Sequence, residues 1–401
     1  MTEHFFKTLK IENFRGIKSL EINDLARVNL FVGENNCGKT TVLEAGFLLS
    51  GINNPNLMIW VQNNRGVKVV EGADLRDLFY NRSHVSGTTF SATQAKGGRT
   101  LNVAPLYGNL QTPQSSRGNL SLGMGLPLSD MLPPLGVPSL GRGLPPSDRG
   151  LLSLLENGGA KDAQQPREAG ASVVGQSPIG IDYNFAVSDQ VAGKGECYRA
   201  TTRWTEIGNI EFTLEPDKRY KESIPESLYL GKEYNSDFVD HMLNEKQKGL
   251  ILSCLKSIDP KIVDIRTGTR GLVSVDIGLD SFIPINLLGD GIIHILKILS
   301  SIGMAGILFF DEIENGLHVS ALEHAWGVVI DQSAKSNAQI FMTTHSGDAI
   351  KSLRNVLDSQ LLSDAVACYR LVKFPDDVVR AYRYSGEQLG MALDSDTDIR
   401  V

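Results

Sequence analysis

Positive charge is in short supply in this sequence of 401 residues, where 39 Lys and Arg face 46 Asp and Glu for a net charge of -7. That balance supplies no global field for holding a nucleic acid or an anionic membrane, so any such contact must rest on a local patch. Cysteine is scarce too. Cys37, Cys197, Cys254 and Cys368 are widely scattered, with no CxxC and no histidine at ligand spacing. This argues against a disulfide framework or a zinc site and for reduced thiols. Long apolar runs are missing: stretches such as Ala305 to Phe310 fall far short of the roughly 18 residues a membrane span needs. The N-terminus carries charges at Glu3, Lys7 and Lys10, where a signal peptide would have its apolar core. A cytoplasmic protein that does not enter a membrane is therefore expected. No heptad pattern is sustained anywhere, which excludes a coiled-coil arm.

What is present is ordinary for a globular chain: 41% hydrophobic and 21% charged residues, in a length sufficient for roughly two to three domains. Residues Phe5 to Ile22 alternate like a short strand pair around the turn Arg15-Gly16. The nearly continuous run Val28 to Val32 suits a strand buried on both faces, and it leads through Gly33 to Lys39 into helical spacing at Val42, Leu43, Ala45, Phe47 and Leu48. Thr93 to Gly180 holds ten of the 16 prolines and many glycines. Proline and glycine at that density break helices and strand ladders, so a loop or poorly ordered insertion is expected, with a partner-binding insert as the alternative. Short strand-like runs follow at Ile181 to Val187, Tyr198 to Trp204 and Gly208 to Leu214. Helical spacing resumes with a helix pair through Phe238, Met242, Leu250, Ile251, Leu255 and Ile258. A strand is then expected at Leu272 to Ile277, helices at Ile292 to Ile302 and Leu317 to Ile330, and buried strands at Ile307 to Phe310 and Gln339 to Thr343. Strands alternating with helices indicate a parallel α/β core. The expected division is residues 1–92 as an N-terminal lobe, 93–180 as the insertion, 181–235 as antiparallel strands completing the lobe, and 236–401 as a helical region with the C-terminal lobe.

Chemistry concentrates in three places. Gly33-Glu-Asn-Asn-Cys-Gly-Lys-Thr40 satisfies GxxxxGK[ST]. Its glycines let the backbone curl so that N-H groups of Asn35, Asn36, Cys37, Gly38, Lys39 and Thr40 face a di- or triphosphate at the positive end of a helix. Lys39 would neutralise β and γ oxygens, Thr40 would set its hydroxyl on Mg²⁺, and Thr41 would reach the α-phosphate. Next, Ile307-Leu-Phe-Phe-Asp311-Glu312 brings two acids to the carboxyl end of an apolar strand, where parallel sheets bind ligands. Asp311 would orient Mg²⁺, and Glu312 would polarise an attacking water as general base. The third is Gln339-Ile-Phe-Met-Thr-Thr-His345, another apolar strand, which would present His345 to the γ-phosphate from a neighbouring position.

These segments, together with Asp311-Glu-Ile-Glu-Asn-Gly-Leu-His318, Thr343-Thr-His-Ser346 and the opening Leu9-Lys-Ile-Glu-Asn-Phe-Arg-Gly16, resemble the ATP-binding-cassette ATPases of the SMC/RecF type. The nearest branch is the compact bacterial AAA-type ATPases related to overcoming-lysogenization-defect nucleases and to the anti-phage ATPases of Gabija, Septu and PARIS. The resemblance covers residues 5 to 90 and 235 to 401. It implies an α/β P-loop ABC-type core with an antiparallel β lobe and a helical signature lobe, binding ATP and Mg²⁺. It also implies a composite site in which a signature loop of one chain caps the nucleotide of another. Leu287-Leu-Gly289-Asp290-Gly291 resembles that loop but departs from the LSGGQ pattern by lacking its serine; a glycine-rich helix cap is the alternative. Asn315 to His318 would be the D-loop, and Arg15 would approach the nucleotide unless it is a solvated turn arginine. The Q-loop glutamine has no match near Leu78 to Asn81. Asp394, Asp396 and Asp398 read as an exposed flexible tail rather than a metal cluster.

The resemblance implies a switch: ATP-driven homo-oligomerisation controlling a separately encoded effector, such as a TOPRIM or HNH nuclease in anti-phage defence. The alternatives are a RecF-like repair ATPase acting on DNA itself and a slowly hydrolysing ATP-bound scaffold.

Overall fold

The computed structural model describes residues 6–51, 54–69, 72–83, 87–95, 97–106, 120–122, 180–189, 194–204, 210–215, 227–230, 248–268, 273–302, 306–360, 365–395 and 398–400. Its centre is a six-stranded sheet. β3 (Val28–Val32) lies between β15 (Gln339–Thr343) and β16 (Val366–Lys373). β14 (Ile307–Phe310) and β10 (Ser227–Leu230) extend one side, and β17 (Val379–Tyr384) closes the other. All neighbours are parallel except β16 and β17.

The near-absence of polar residues in these strands follows from burial on both faces. Phe31, Phe309 and Phe341 project into one core and Val28, Leu30, Val32, Leu308, Phe310, Ile340 and Met342 into the other, as a two-residue period demands. Phe309 and Phe341 stack with ring centroids 5.1 Å apart. On the first face lie α1 (Lys39–Ser50), α2 (Asn56–Asn64) and an antiparallel sheet; on the second lie α5 (Val319–Ser336), α6 (Gly347–Gln360) and part of α4 (Asp290–Ile302).

The antiparallel sheet runs in the order β2 (Ile17–Ile22), β1 (Leu9–Phe14), β4 (Thr88–Gln94), β5 (Gly97–Leu106), β7 (Gly180–Asp189), β8 (Lys194–Trp204), β9 (Ile210–Glu215) and β6 (Leu120–Leu122). Gln339 joins this lobe to the parallel sheet: its amide nitrogen donates to the Phe6 and Ala26 carbonyls, and its oxygen accepts the Phe6 N-H.

β5 corrects the expected insertion. Residues 97 to 106 form a central strand that pairs along its length with β7 and, up to Val103, with β4. Leu101 and Val103 point into the core. The reason is local: the first proline after Thr93 is Pro105, which lies past the last β4 partner, so the preceding ladder keeps its donors. Leu120–Leu122, also inside the expected insertion, pairs with β9. The rest of that stretch, 107–119 and 123–179, lies outside the described residues, as do Phe238 and Met242 of the expected helix pair.

A third core unites α3 (Lys248–Ile258), α4 and one face of α5 with a small antiparallel sheet of β11 (Asp264–Thr267), β12 (Val273–Asp276) and β13 (Ile283–Pro284). α7 (Gly386–Asp394) follows β17 and opens on a capping box between Ser385 and Gln388. The acidic tail is tied down at both described acids: Asp394 pairs with Arg354 at 2.6 Å and Asp398 with Arg400 at 2.7 Å. Both acids are exposed, as expected, and each has a guanidinium within reach; Asp396 lies outside the described residues.

Candidate functional site

The site is built where β3, β14 and β15 present their carboxyl ends side by side. The loop from Gly33 to Gly38 leaves β3 with three residues in the left-handed region: Gly33 (φ 143), Asn36 (φ 63) and Gly38 (φ 104). Gly33 is required for a second reason, since a Cβ there would lie 2.5 Å from the Leu371 carbonyl oxygen of β16. α1 starts without a side-chain cap and without an acid in its first turn. Its leading N-H groups are therefore left for an exogenous anion at the positive end of the helix.

Lys39 is buried, and its ammonium donates to the carbonyls of Gly33 (2.8 Å) and Glu34 (2.9 Å), so the loop wraps its own lysine. Burial lowers the Lys39 pKa, while Cys37, Asp311, Glu314 and Glu312 act in the opposite direction. The strand-end acids thus lie within electrostatic reach of the lysine. Cys37 is buried beside it, its Sγ 3.9 Å from Nζ, and desolvation raises its thiol pKa.

Thr343, at the end of β15, organises the acids. Its hydroxyl donates to Asp311 Oδ1 at 2.5 Å and accepts the Glu312 N-H at 2.9 Å. Glu312 has φ 55, a left-handed conformation that a non-glycine residue adopts only under tertiary constraint. The Ile313 N-H reaches the Thr343 carbonyl at 3.1 Å, so the chain after β14 stays locked to the end of β15. Glu314 fastens the next loop. Its Oε1 accepts the N-H of His345 (2.7 Å) and of Ser346 (3.1 Å), which leaves His345 exposed beside the acids. Arg400 adds a contact to the His345 carbonyl at 3.1 Å.

The segment resembling the signature loop precedes and opens α4. Leu287 is 73% exposed, and Gly289 (φ 105) and Asp290 are also exposed. Gly291 is buried against the turn after Asn315, and a Cβ on it would lie 2.0 Å from the Gly316 carbonyl oxygen. This glycine serves a backbone contact inside the chain, binding the start of α4 to the expected D-loop. One turn along, His294 packs against the same region. Burial and then Lys297 push its imidazole down to about 4, while the backbone at Ile313, the Glu314 carboxylate and the backbone at Glu312 pull upward.

Arg15 is paired inside the chain. Its guanidinium lies 2.8 Å from Glu44, a carboxylate on α1 that also takes a two-pronged contact from Arg65 at 2.6 and 3.1 Å. Glu44 is almost fully buried, and an unpaired charge there would be costly. Arg15 therefore pairs α1 to the β1–β2 turn and is not a solvated turn arginine.

Thr40 and Asp311 offer a hydroxyl and a carboxylate, both hard oxygen donors. Among the described residues no group of three or more His, Cys, Asp or Glu side chains is placed to hold a metal. A two-oxygen donor set suits Mg²⁺, which is commonly held by one or two protein oxygens together with substrate phosphates and water. Sequence reasoning placed Lys39, Asp311, Glu312 and His345 together. It gave no role to Thr343, Glu314 or His294; Thr343 and Glu314 lie inside the quoted segments Thr343-Thr-His-Ser346 and Asp311 to His318, and His294 lies in no motif.

Residues 5–72 match the family model described as "AAA ATPase domain", and residues 199–350 match "AAA domain, putative AbiEii toxin, Type IV TA system". Both matches are to ATPase domains, the first covering the P-loop and the second the paired acids and His345. An ATP/GTP phosphatase of Helicobacter pylori is 28% identical over 151 residues, covering 36% of this chain and 40% of that protein. An uncharacterized protein of Methanocaldococcus jannaschii is 34% identical over 82 residues, covering 19% and 36% respectively. The chain thus spans well under half the length of either relative. Among solved structures, the SMC head domain from Thermotoga maritima superposes with TM-score 0.37 at 9% identity, covering 94% of this chain and 98% of the other. An SMC head with an extended coiled coil, bound to a ScpA domain derived from Pyrococcus furiosus, gives 0.44 at 9%, covering 98% and 99%.

Among the described residues, no helix is long and apolar enough to cross a membrane.

Proposed function

We propose that the chain binds ATP with Mg²⁺ and hydrolyses it to ADP and phosphate, and that two copies close around the nucleotides to switch a separately encoded effector. The observation supporting this is the convergence, at the carboxyl ends of β3, β14 and β15, of a glycine-bounded loop opening an uncapped helix, a buried lysine and two acids held by one threonine. Lys39 exchanges the Gly33 and Glu34 carbonyls for β and γ oxygens, a replacement of weak acceptors by charged ones. Mg²⁺, when bound, supplies Lewis-acid neutralisation of the phosphates between Thr40 and Asp311. Glu312 polarises the attacking water as general base, and His345 approaches the γ-phosphate. The exposed Gly289-Asp290 step caps the nucleotide of the other copy. The effector is a nuclease, TOPRIM or HNH in type, acting in anti-phage defence.

Lys39→Ala removes the only positive side chain of the loop. Calorimetry should show no ATP binding by this variant up to millimolar ligand; unchanged affinity would sink the assignment. Because the Helicobacter relative is named for both ATP and GTP, turnover is to be measured with each. The effector reading predicts a nuclease whose cleavage responds to ATP and loses that response with Lys39→Ala; cleavage indifferent to both counts against it.

A further inference from the structure

We propose that Glu314 is a positioning residue for hydrolysis and forms, with His294, one unit that ties the start of α4 to the His345 loop. The inference rests on the ATPase reading above and deepens it. Four observations carry it. Glu314 Oε1 takes the main-chain N-H of both His345 and Ser346, so one carboxylate oxygen fixes where His345 stands relative to Glu312, two residues earlier in the chain. Glu314 Oε2 is buried without a hydrogen-bond partner, and so is Nε2 of His294. The Ile313 backbone, the Glu314 carboxylate and the Glu312 backbone are the groups that act to raise the otherwise depressed His294 pKa. Gly291 and Gly316 meet at backbone contact, so α4 has no slack against the turn that follows Glu314.

Buried polar atoms left unpaired are costly, and each calls for a partner or a role. Here two of them flank the one segment that carries Glu312. A displacement of Asp290 and Gly289, the exposed end of α4, reaches His294 one turn along the same helix. From His294 it passes to the 312–314 backbone, and from Glu314 to His345. The end of the chain's α4 and its own hydrolytic residues are therefore linked by a short series of packed groups, with Glu314 as the joint.

The test compares Glu314→Ala, Glu314→Gln and His294→Gln in the full chain. Glu314→Ala should lower kcat at least about tenfold with ATP affinity by calorimetry within about twofold, the signature of an interaction used only in the transition state. Glu314→Gln keeps an oxygen that accepts both N-H groups and should recover most of the loss. Loss of affinity in step with kcat, or no recovery with Gln, overturns the positioning role. Glu314→Ala combined with His294→Gln should lose little more than the worse single variant; independent, multiplying losses overturn the joint unit. A readout without turnover separates this from the ATPase reading. Selective ¹⁵N-histidine labelling gives one backbone amide signal for each of seven histidines. The His345 amide should shift upfield in Glu314→Ala, stay near its place in Glu314→Gln, and move in His294→Gln. An unmoved His345 signal in Glu314→Ala rejects the geometry whether or not the protein hydrolyses ATP. If Glu314→Ala does not fold, the same shift and kcat comparison on His294→Gln decides: no change in either overturns the proposal.

Discussion

At the scale of single residues, the site depends on groups whose burial conflicts with their polarity. Lys39, Glu44 and Thr343 are all buried, and each is matched: Lys39 by two carbonyls, Glu44 by two guanidiniums, Thr343 by a carboxylate and an N-H. His294 is matched less well, and this has a pH consequence. Its folded pKa of about 4 lies below the ordinary 6.5. Between those values the unfolded chain binds more protons than the folded one, so stability rises with pH there and is lost as pH falls from 6.5 towards 4. The contribution is bounded at about 3 kcal/mol by the width of that window. Urea midpoints at pH 7 and pH 5 should therefore fall less steeply with acid in His294→Gln than in the unsubstituted chain. Equal slopes would mean that the imidazole is solvated and not packed against α4's neighbours.

Among the elements, β5 separates composition from structure most sharply. Read by proline and glycine density, residues 93 to 180 form one irregular stretch, and a substitution at Leu101 would be nearly silent. In the sheet, Leu101 is buried opposite Phe90 on β4 and Phe185 on β7. Truncating it to alanine should cost about 3 kcal/mol, the usual loss when a leucine-sized cavity opens in a packed core. Chemical denaturation measures this directly. A change within about 0.5 kcal/mol would place Leu101 among surface positions and restore the composition-based boundary. The element-level signal was present in the alternation Thr100, Leu101, Asn102, Val103 but was outweighed by the prolines that begin at Pro105.

For the whole molecule, the exposed Leu287, Gly289 and Asp290 lie at the start of a helix whose next residue is sealed against the chain's own Gly316. Nothing within this chain's described residues approaches a Cβ placed on Gly289, and a second copy is the occupant the proposed switch requires. Glu312→Gln should block hydrolysis while preserving the N-H bond to Thr343. Light scattering with ATP and Mg²⁺ should then show the mass double relative to the nucleotide-free protein. A mass that stays monomeric with and without ATP contradicts ATP-driven closure.

The sequence by itself determined the strand that leads into the P-loop, the strands that end at Phe310 and Thr343, and the P-loop motif with Lys39, because each is written in neighbouring residues. Apolar runs ending in a charged residue specify a buried strand and its functional end without reference to anything distant. Only the tertiary structure decided the rest. Arg15 and Glu44 are 29 positions apart in the chain, so their pairing has no local trace. Gly291 was legible as a flexible glycine, but its use for close approach to Gly316 depends on how α4 crosses the turn before α5. Glu314 was legible as one more acid; that it holds the His345 loop follows from β14 and β15 lying side by side, a parallel pairing that distant hydrophobic burial sets and no short motif encodes.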